Sequence, residues 1–112
     1  GAFPTRYMAS ALEGYSQAVE TTGTSEPTTT LLSNADGQAV TSAEDAMTKL
    51  VAQLTRPVRW DLCNETMRQL NITAIVEFPP AGALTGIAKR ELRGVATHAA
   101  KTPADLDGLT EL

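Results

Sequence analysis

The chain has 112 residues, enough for one small domain with a modest hydrophobic core. Apolar residues make up 42 % and charged residues 20 %, as in an ordinary globular protein, and the net charge of −4 supplies no basic face for nucleic acid. No apolar run approaches the roughly 20 residues that span a bilayer, and no leader-peptide pattern opens the chain. The single cysteine, Cys63, cannot form an internal disulfide. We therefore expect a soluble, cytoplasmic protein.

The first half of the chain predicts two helices separated by a short strand. Apolar residues recur at helical spacing over Met8–Val19. Residues 21–30 are rich in Thr, Gly, Ser and Pro and predict a loop, and Thr29–Ser33 is predicted as a strand. The sequence Asn34–Gly37 predicts a turn. A second helix should run from Thr41, its predicted cap, to about Leu54, with acidic residues favouring its first turn.

The second half predicts alternating helices and strands. Pro57 should interrupt the preceding helix and occupy the first turn of the next, whose apolar residues extend to Leu70. Thr73–Phe78 is a short, mostly apolar run, typical of a strand covered on both faces. Three further elements are predicted: a helix over Ala83–Leu92, a strand over Val95–Ala99 and a helix over Pro103–Leu109, with Thr102 as its cap.

This alternation predicts an α/β fold with a three-layer arrangement, in which a short, mostly parallel sheet of three strands is flanked by helices. Three strands make a narrow sheet, and a domain that stands alone usually has more. We therefore expect residues 1–112 to form a segment of one larger domain, with no internal boundary.

Spacing alone gives no complete catalytic set. Ser16 lies in a loose match to the G-x-S-x-G nucleophile elbow, but it falls inside a predicted helix, whereas the elbow needs a preceding strand. His98 is the only histidine and stands beside no catalytic signature, and with Cys63 it gives no metal-ligand spacing. Gly82 and Gly86 lack the lysine of a phosphate-binding loop. We expect no metal and no cofactor.

Four segments nevertheless follow one another in a recognisable order. Gly1–Met8 (GAFPTRYM) resembles a G-x-F-H-[ST]-x-x-M motif, and Pro27–Asn34 resembles a P-x-x-x-x-x-S-N strand. Gln53–Trp60 (QLTRPVRW) is similar to Q-[LI]-x-x-P-V-[RQ]-W, the most specific of the four. Glu77–Gly86 (EFPPAGALTG) resembles E-[VF]-G-P-G-x-x-L-T-G. All four motifs belong to malonyl-CoA:acyl-carrier-protein transacylases and related polyketide acyltransferases, and the resemblance covers the whole chain.

The resemblance implies the C-terminal segment of a serine acyltransferase domain of α/β-hydrolase-like architecture. Such enzymes move malonyl from coenzyme A to acyl carrier protein, through an acyl-serine, in fatty acid biosynthesis. A histidine activates the serine, backbone N–H groups hold the oxyanion and an arginine pairs with the malonyl carboxylate. The serine, the arginine and the oxyanion loop would lie upstream. The resemblance thus implies that the chain needs the N-terminal remainder of its domain and is inactive alone.

The chain departs from the family at the position of the catalytic histidine. Pro4 stands there, and proline has neither an ionisable group nor an N–H, so it cannot act as a general base. Gln53 matches the family glutamine whose backbone carbonyl orients that histidine. Pro79 and Ala81 replace glycines and should stiffen their loop. Three explanations of Pro4 stay open: an engineered or erroneous substitution, a natural non-catalytic relative, or a local slip of the alignment.

A function of a different class is also open, a non-catalytic module that binds acyl carrier protein or serves as a scaffold. Carrier proteins are acidic, so their docking face should be basic. The candidate contacts are Arg56, Arg59, Lys89, Arg90 and Arg93. The run from Lys89 to Arg93 equally suits a solvated helix face, and an unrelated small α/β domain is the third interpretation.

Overall fold

A computed structural model describes residues 2–112. Gly1, the first residue of the first motif, lies outside the described residues. The chain divides into two compact units, one up to Thr66 and one from Met67 to Leu112. The expectation of one domain without an internal boundary stays a prediction. No helix among residues 2–112 is long and apolar enough to cross a membrane.

The first unit opens with a 3₁₀ helix, Arg6–Ala11, which continues into α1 (Leu12–Glu20). The predicted helix over Met8–Val19 is therefore confirmed, with a tighter first turn. After a long loop come α2 (Ala43–Ala52), which packs on α1, and α3 (Trp60–Gln69).

The start of α3 differs from the prediction. Pro57 was expected in its first turn, yet the helix begins at Trp60. The carbonyl of Pro57 accepts a hydrogen bond from the side-chain amide of Gln53 at 3.0 Å, and the backbone N–H of Arg59 donates to the carbonyl of Asn34 at 2.8 Å. These contacts hold the backbone in a loop, because groups engaged elsewhere cannot begin a helix there.

α2 begins at a side-chain cap. The Ser42 hydroxyl accepts a hydrogen bond from the backbone N–H of Asp45 at 3.0 Å, and the Asp45 carboxylate accepts one from the N–H of Thr41 at 3.0 Å. The helix itself cannot satisfy these donors. The cap is thus Ser42 rather than the predicted Thr41, and α2 ends at Ala52 rather than near Leu54.

The strand predicted over Thr29–Ser33 is wrong. The segment makes only an isolated antiparallel bridge, between Leu32 and Ala39, on either side of the predicted turn at Asn34–Gly37, which is confirmed. The segment pairs only with the chain that returns from its own turn, and the threonines before it stay exposed. β-propensity without a longer partner does not build a strand.

The second unit contains a two-stranded parallel sheet. β1 (Ala74–Glu77) and β2 (Ala96–Ala99) pair residue for residue, and α4 (Ala83–Glu91) joins them and packs against both. An α/β segment with a short parallel sheet and helices is confirmed, but the sheet has two strands within residues 2–112, not three. In a crossover of this kind, the carboxyl ends of both strands meet at one edge of the sheet.

The last element is a 3₁₀ helix, Pro103–Glu111, capped by Thr102 as predicted. The Asp105 carboxylate accepts hydrogen bonds from the Thr102 N–H at 2.7 Å and from its hydroxyl at 3.0 Å. The His98 ring lies with Nε2 2.6 Å from the Asp105 carbonyl and packs closely on Gly108, where a Cβ would come within 3.1 Å of the ring. His98 therefore fastens this helix to β2.

Apolar burial is thin in both units. The buried apolar residues are small, with Leu92 (2 % exposed) as the exception. Within residues 2–112, large apolar side chains more than a third exposed are Phe3, Tyr7, Leu31, Leu50, Val58, Leu70, Phe78, Leu84, Leu106 and Leu112. A self-contained domain would bury most of these side chains, because apolar burial is its main source of stability.

Candidate functional site

Pro4, at the position of the family's catalytic histidine, is half-buried just before the first 3₁₀ helix. Its ring presents only carbon atoms, so no side-chain group there can take up or release a proton. The neighbouring Arg6 guanidinium lies 5.0 Å from the centre of the exposed Tyr7 ring, and the Tyr7 hydroxyl accepts a hydrogen bond from Arg6 at 3.1 Å.

Gln53 directly follows α2 and closes its C-terminal end. Its N–H donates to the Lys49 carbonyl at 3.0 Å, and its side-chain amide donates to the carbonyls of Arg56 at 2.7 Å and Pro57 at 3.0 Å. The Gln53 carbonyl is among the terminal carbonyls that a helix leaves without an internal partner, so it is suited to accept a hydrogen bond from another group. None of the described hydrogen bonds joins Gln53 to Pro4.

A cavity of about 290 Å³ opens beside Gln53. Its walls combine apolar and polar side chains, among them Leu31, Val40, Leu50, Ser33, Asn34, Lys49 and Gln53. A mostly apolar cleft with a few convergent polar groups is typical of a small-molecule site. The structure thus brings together two motifs that are distant in sequence, the one ending in Ser33-Asn34 and the one beginning at Gln53.

The Ser33-Asn34 pair is held against α3. The Asn34 carbonyl accepts the Arg59 N–H at 2.8 Å, and the Cys63 Sγ lies 3.5 Å from both the Ser33 carbonyl and the Asn34 Oδ1. Cys63 is 1 % exposed, and this burial raises the pKa of its thiol, as do the nearby carboxylates of Asp36 and Asp61. A thiol that stays protonated is a weak nucleophile, so Cys63 is a packing residue rather than a catalytic one.

Gly37 allows this close contact. Its φ of +71° lies in the left-handed region, and a Cβ there would come 2.4 Å from the backbone carbon and the Cβ of Leu62. The Thr66 hydroxyl donates to the Gly37 carbonyl at 2.7 Å. The turn can lie on α3 only because Gly37 has no side chain.

Lys49 is the cation of the cavity wall, and carboxylates already surround it. Its Nζ lies 3.1 Å from Asp36 and 3.0 Å from Asp45. The backbone N–H of Gln38 and then Lys49 lower the pKa of Asp36, while the Thr41 N–H and Lys49 lower that of Asp45. Hydrogen bonds from both partners raise the pKa of Lys49. Its charge is therefore compensated within the unit.

In the second unit, Glu77 at the end of β1 binds the loop that follows. Its carboxylate accepts the backbone N–H groups of Gly82, Leu84 and Thr85 at 2.8–3.0 Å and the Thr85 hydroxyl at 2.9 Å. Burial raises the pKa of Glu77, but these hydrogen bonds outweigh it and lower the pKa to about 2. The carboxylate thus caps the start of α4 and fixes the loop at the carboxyl edge of the sheet.

The basic candidates differ in their surroundings. Arg59 forms a bidentate pair with Asp61 at 3.0 and 2.8 Å, which raises the pKa of the arginine. Lys89 and Arg90 lie in the last turn of α4 and Arg93 follows it, all exposed. The exposed Arg56, like Arg59, belongs to the first unit.

The other sequence candidates have structural positions. Ser16 lies inside α1, not on a strand-to-helix turn, and Gly86 lies inside α4. His98 holds the last 3₁₀ helix. Nowhere in the described part of the chain do three or more His, Cys, Asp or Glu side chains come together in a way that could hold a metal ion.

Comparison with known proteins places these features in a family. No protein-family model matches the chain. The malonyl CoA-acyl carrier protein transacylase of Mycolicibacterium smegmatis is 66 % identical over the whole chain, which covers 40 % of that relative. The Mycobacterium tuberculosis transacylase is 62 % identical over the whole chain, which covers 37 % of it. The crystal structure of MCAT from Mycobacterium tuberculosis superposes with a TM-score of 0.92 at 63 % identity, over 97 % of this chain and 36 % of that one.

The chain belongs to the malonyl-CoA:acyl-carrier-protein transacylase family. It matches the C-terminal part of the transacylases and spans about two fifths of their length. A solved complex of a malonyl-transacylase with a type II polyketide acyl carrier protein is similar as well, with a TM-score of 0.88 at 27 % identity, over 97 % of this chain and 35 % of that one.

Sequence reasoning missed one important residue of this transacylase segment. Glu77 was noted only as the first letter of a motif, although its carboxylate organises the whole element. A charged residue at the end of an apolar strand, just before a Pro-Pro-Ala-Gly loop and a helix start, was the available signal. The cavity beside Gln53 had no such local signal, because it depends on contacts between segments distant in sequence.

Proposed function

We propose that the chain is the C-terminal part of an enzyme that transfers malonyl from coenzyme A to acyl carrier protein, in cytoplasmic fatty acid biosynthesis. The observation that carries this proposal is the 66 % identity to a transacylase across the whole chain. Because the chain spans about two fifths of such relatives, the activity belongs to the domain completed by its N-terminal remainder. The exposed apolar side chains support that completion, since they provide surface for the remainder to cover.

The proposed reaction has two acyl transfers. A serine hydroxyl outside residues 1–112 attacks the malonyl thioester and the coenzyme A thiol leaves, which gives an acyl-serine. The phosphopantetheine thiol of the carrier protein then attacks the acyl-serine and restores the serine. Each step needs a base that takes a proton from the nucleophile and returns it to the leaving group.

Pro4 is proposed to occupy the place of that base and to leave the completed domain without it. Gln53 is proposed to orient a histidine at this position through its backbone carbonyl. The free terminal carbonyl of α2 and the fixing of the Gln53 side chain on Arg56 and Pro57 support this role.

A chimera tests the proposal. The part of the Mycolicibacterium smegmatis transacylase that this chain does not match is joined to this chain, which carries either Pro4 or Pro4→His. Malonyl transfer to acyl carrier protein is then measured with both folded chimeras. Because a general base contributes about 10²–10⁴-fold, Pro4→His should raise the rate by that factor.

Pro4→Ala is the matched control, because it removes the proline ring without supplying a base. It should leave the rate near that of the Pro4 chimera. If folded Pro4→His transfers malonyl no faster than Pro4→Ala, the assignment of Pro4 to the base position is wrong.

Acyl carrier protein is the proposed protein partner, and Lys89, Arg90 and Arg93 are its proposed contacts. They are exposed at one end of α4, and an acidic partner should bind a basic face. In the chimera, Arg90→Glu should weaken carrier binding and reduce its salt dependence. Arg59→Glu, whose native arginine is already paired with Asp61, should have the smaller effect. Equal effects would contradict this contact surface.

A further inference from the structure

The pairing of β1 with β2 uses only one side of each backbone. The N–H groups of Ala96 and Ala100 donate to the carbonyls of Thr73 and Glu77, each at 2.9 Å. In a parallel ladder, alternate residues of a strand face the same neighbour. Residues 73, 75 and 77 therefore direct their backbone groups towards β2.

The intervening residues, Ala74 and Val76, direct their N–H and C=O groups to the opposite edge of β1. The sheet is two-stranded within residues 2–112, so no strand of that part of the chain pairs with this edge. The edge carries none of the usual protections of a free strand, since no lysine, proline or bulge interrupts the sequence AIVE. An unprotected apolar edge is suited to receive another strand.

The outer edge of β2 is different, because both of its ends are already occupied. Before β2, the Val95 N–H donates to the Leu92 carbonyl at 3.1 Å. After β2, the Lys101 N–H donates to the Asp105 carboxylate at 2.9 Å, and Asp105 belongs to the last 3₁₀ helix. Only a short central stretch of this edge stays open, so β1 offers the better docking position.

The side chains of β1 agree with a position inside a wider sheet. Ala74, Ile75 and Val76 are apolar on both faces of the strand, a pattern typical of parallel strands covered on both sides. In the structure all three are only half-buried, and Phe78, directly after the strand, is 63 % exposed. A two-stranded sheet is itself marginal in water.

We propose that the outer edge of β1 receives a parallel strand from the part of the domain that this chain lacks. The inference rests on the proposed function, because the transacylase relatives are more than twice as long as the chain. A parallel orientation is expected, since strands in such α/β sheets are linked by helical crossovers. A second copy of this chain would instead place the two β1 edges antiparallel around a two-fold axis.

Amide hydrogen exchange tests this placement, residue by residue, in the isolated chain and in the chimera that carries it. The N–H groups of Ala74 and Val76 should become protected by about tenfold or more in the chimera, because a new strand accepts or covers them. Thr97 and Ala99, on the outer edge of β2, are the matched controls and should gain clearly less protection. Equal or larger protection at Thr97 and Ala99 would overturn the proposal.

Two proline variants of the chimera give a second measurement. Val76→Pro removes an outward N–H of β1 but leaves the ladder to β2, whereas Thr97→Pro makes the same change on the outer edge of β2. The Val76→Pro chimera should melt at a clearly lower temperature than the Thr97→Pro chimera, while the two isolated chains should melt alike. The reverse order in the chimera would contradict docking at β1.

The outcomes separate this inference from the proposed function. If the Pro4→His chimera transfers malonyl while Ala74 and Val76 stay unprotected, the function stands and the docking edge is wrong. If both amides are protected but the Pro4→His chimera is inactive, the edge stands and the function fails. Protection of both amides in the isolated chain that rises with its concentration would identify a second copy as the occupant and overturn the proposal.

Discussion

The first and second units fix their loops by different means. In the first unit, the turn at Gly37 lies directly on α3 and is held by backbone and hydroxyl contacts from Arg59 and Thr66. In the second, a single carboxylate, Glu77, binds the loop between β1 and α4. The position of the family's base falls in the first unit, at Pro4. None of these contacts uses an ionisable group at that position, so a transacylase segment keeps its local architecture without one.

The largest expected effect is that of Gly37→Ala. A methyl group would meet Leu62 at 2.4 Å in a backbone with φ of +71°, so the turn would have to leave α3. Overpacking and left-handed strain together should lower the free energy of unfolding by about 3 kcal/mol, measured by urea denaturation. Gly14→Ala in α1, where nothing lies within 4 Å, is the control and should not destabilise. A Gly37→Ala loss no larger than that of Gly14→Ala would show that the turn does not depend on contact with α3.

Glu77→Gln should have the next largest effect and sharpen the contrast between the units. An amide offers an N–H group where the loop presents only donors, so stability at neutral pH should fall. The pKa of Glu77 is about 2 in the fold against 4.5 for the free side chain, so the unfolded chain takes up the proton first as pH falls. The stabilisation is thus full above that upper value and is lost as pH falls through the folded pKa.

Denaturation curves between pH 7 and pH 2 measure this effect. The unaltered chain should lose more stability over that range than Glu77→Gln, which has no carboxylate to protonate there. Glu111→Gln, at an exposed position in the same unit, is the control and should follow the unaltered chain. Parallel curves for the unaltered chain and Glu77→Gln would show that the carboxylate does not hold the loop.

Ser42→Ala should cost less, about 1 kcal/mol of unfolding free energy, because one N-cap acceptor is lost from α2. Ser42→Asp is the matched control, since aspartate also caps helices well and should retain most of the stability. Thermal melts of both variants compare them. If alanine and aspartate behave alike, the cap contributes nothing measurable to the first unit.

Asn64→Leu should produce the smallest change, and in the opposite direction. Within residues 2–112, the Oδ1 of Asn64 and the indole N–H of Trp60 are buried without a hydrogen-bond partner, one helical turn apart on α3. Removing an unpaired buried acceptor should raise stability by up to about 1 kcal/mol. Asn64→Asp, which buries a charge, should be destabilising instead. A destabilised Asn64→Leu would mean that this acceptor is paired in solution.

The elements that could be predicted from sequence are those with a local signal. β1, α4 and β2 appear as apolar runs bounded by prolines or glycines, and the structure places them within a residue or two of their predicted ends. The strand over Thr29–Ser33 failed because strand formation depends on a partner, which the sequence of that segment does not specify.

The candidate site was predictable only in part, for the same reason. The four motifs gave Pro4 and Gln53 their places, and the turn over Asn34–Gly37 has a clear local signature. The contact of that turn with α3 and the cavity beside Gln53 join residues far apart in the chain, so no local pattern indicates them. The hydrogen bonds to Glu77 span a short stretch of sequence and were the more accessible of the missed features.

The buried indole of Trp60 has a practical consequence. It is the only tryptophan of the chain, it stands at the start of α3, and its N–H is shielded from water. Its fluorescence emission is therefore a built-in optical reporter on the first unit alone. A red shift would signal that α3 has loosened, whereas opening of the second unit, which has no tryptophan, would leave the emission unchanged.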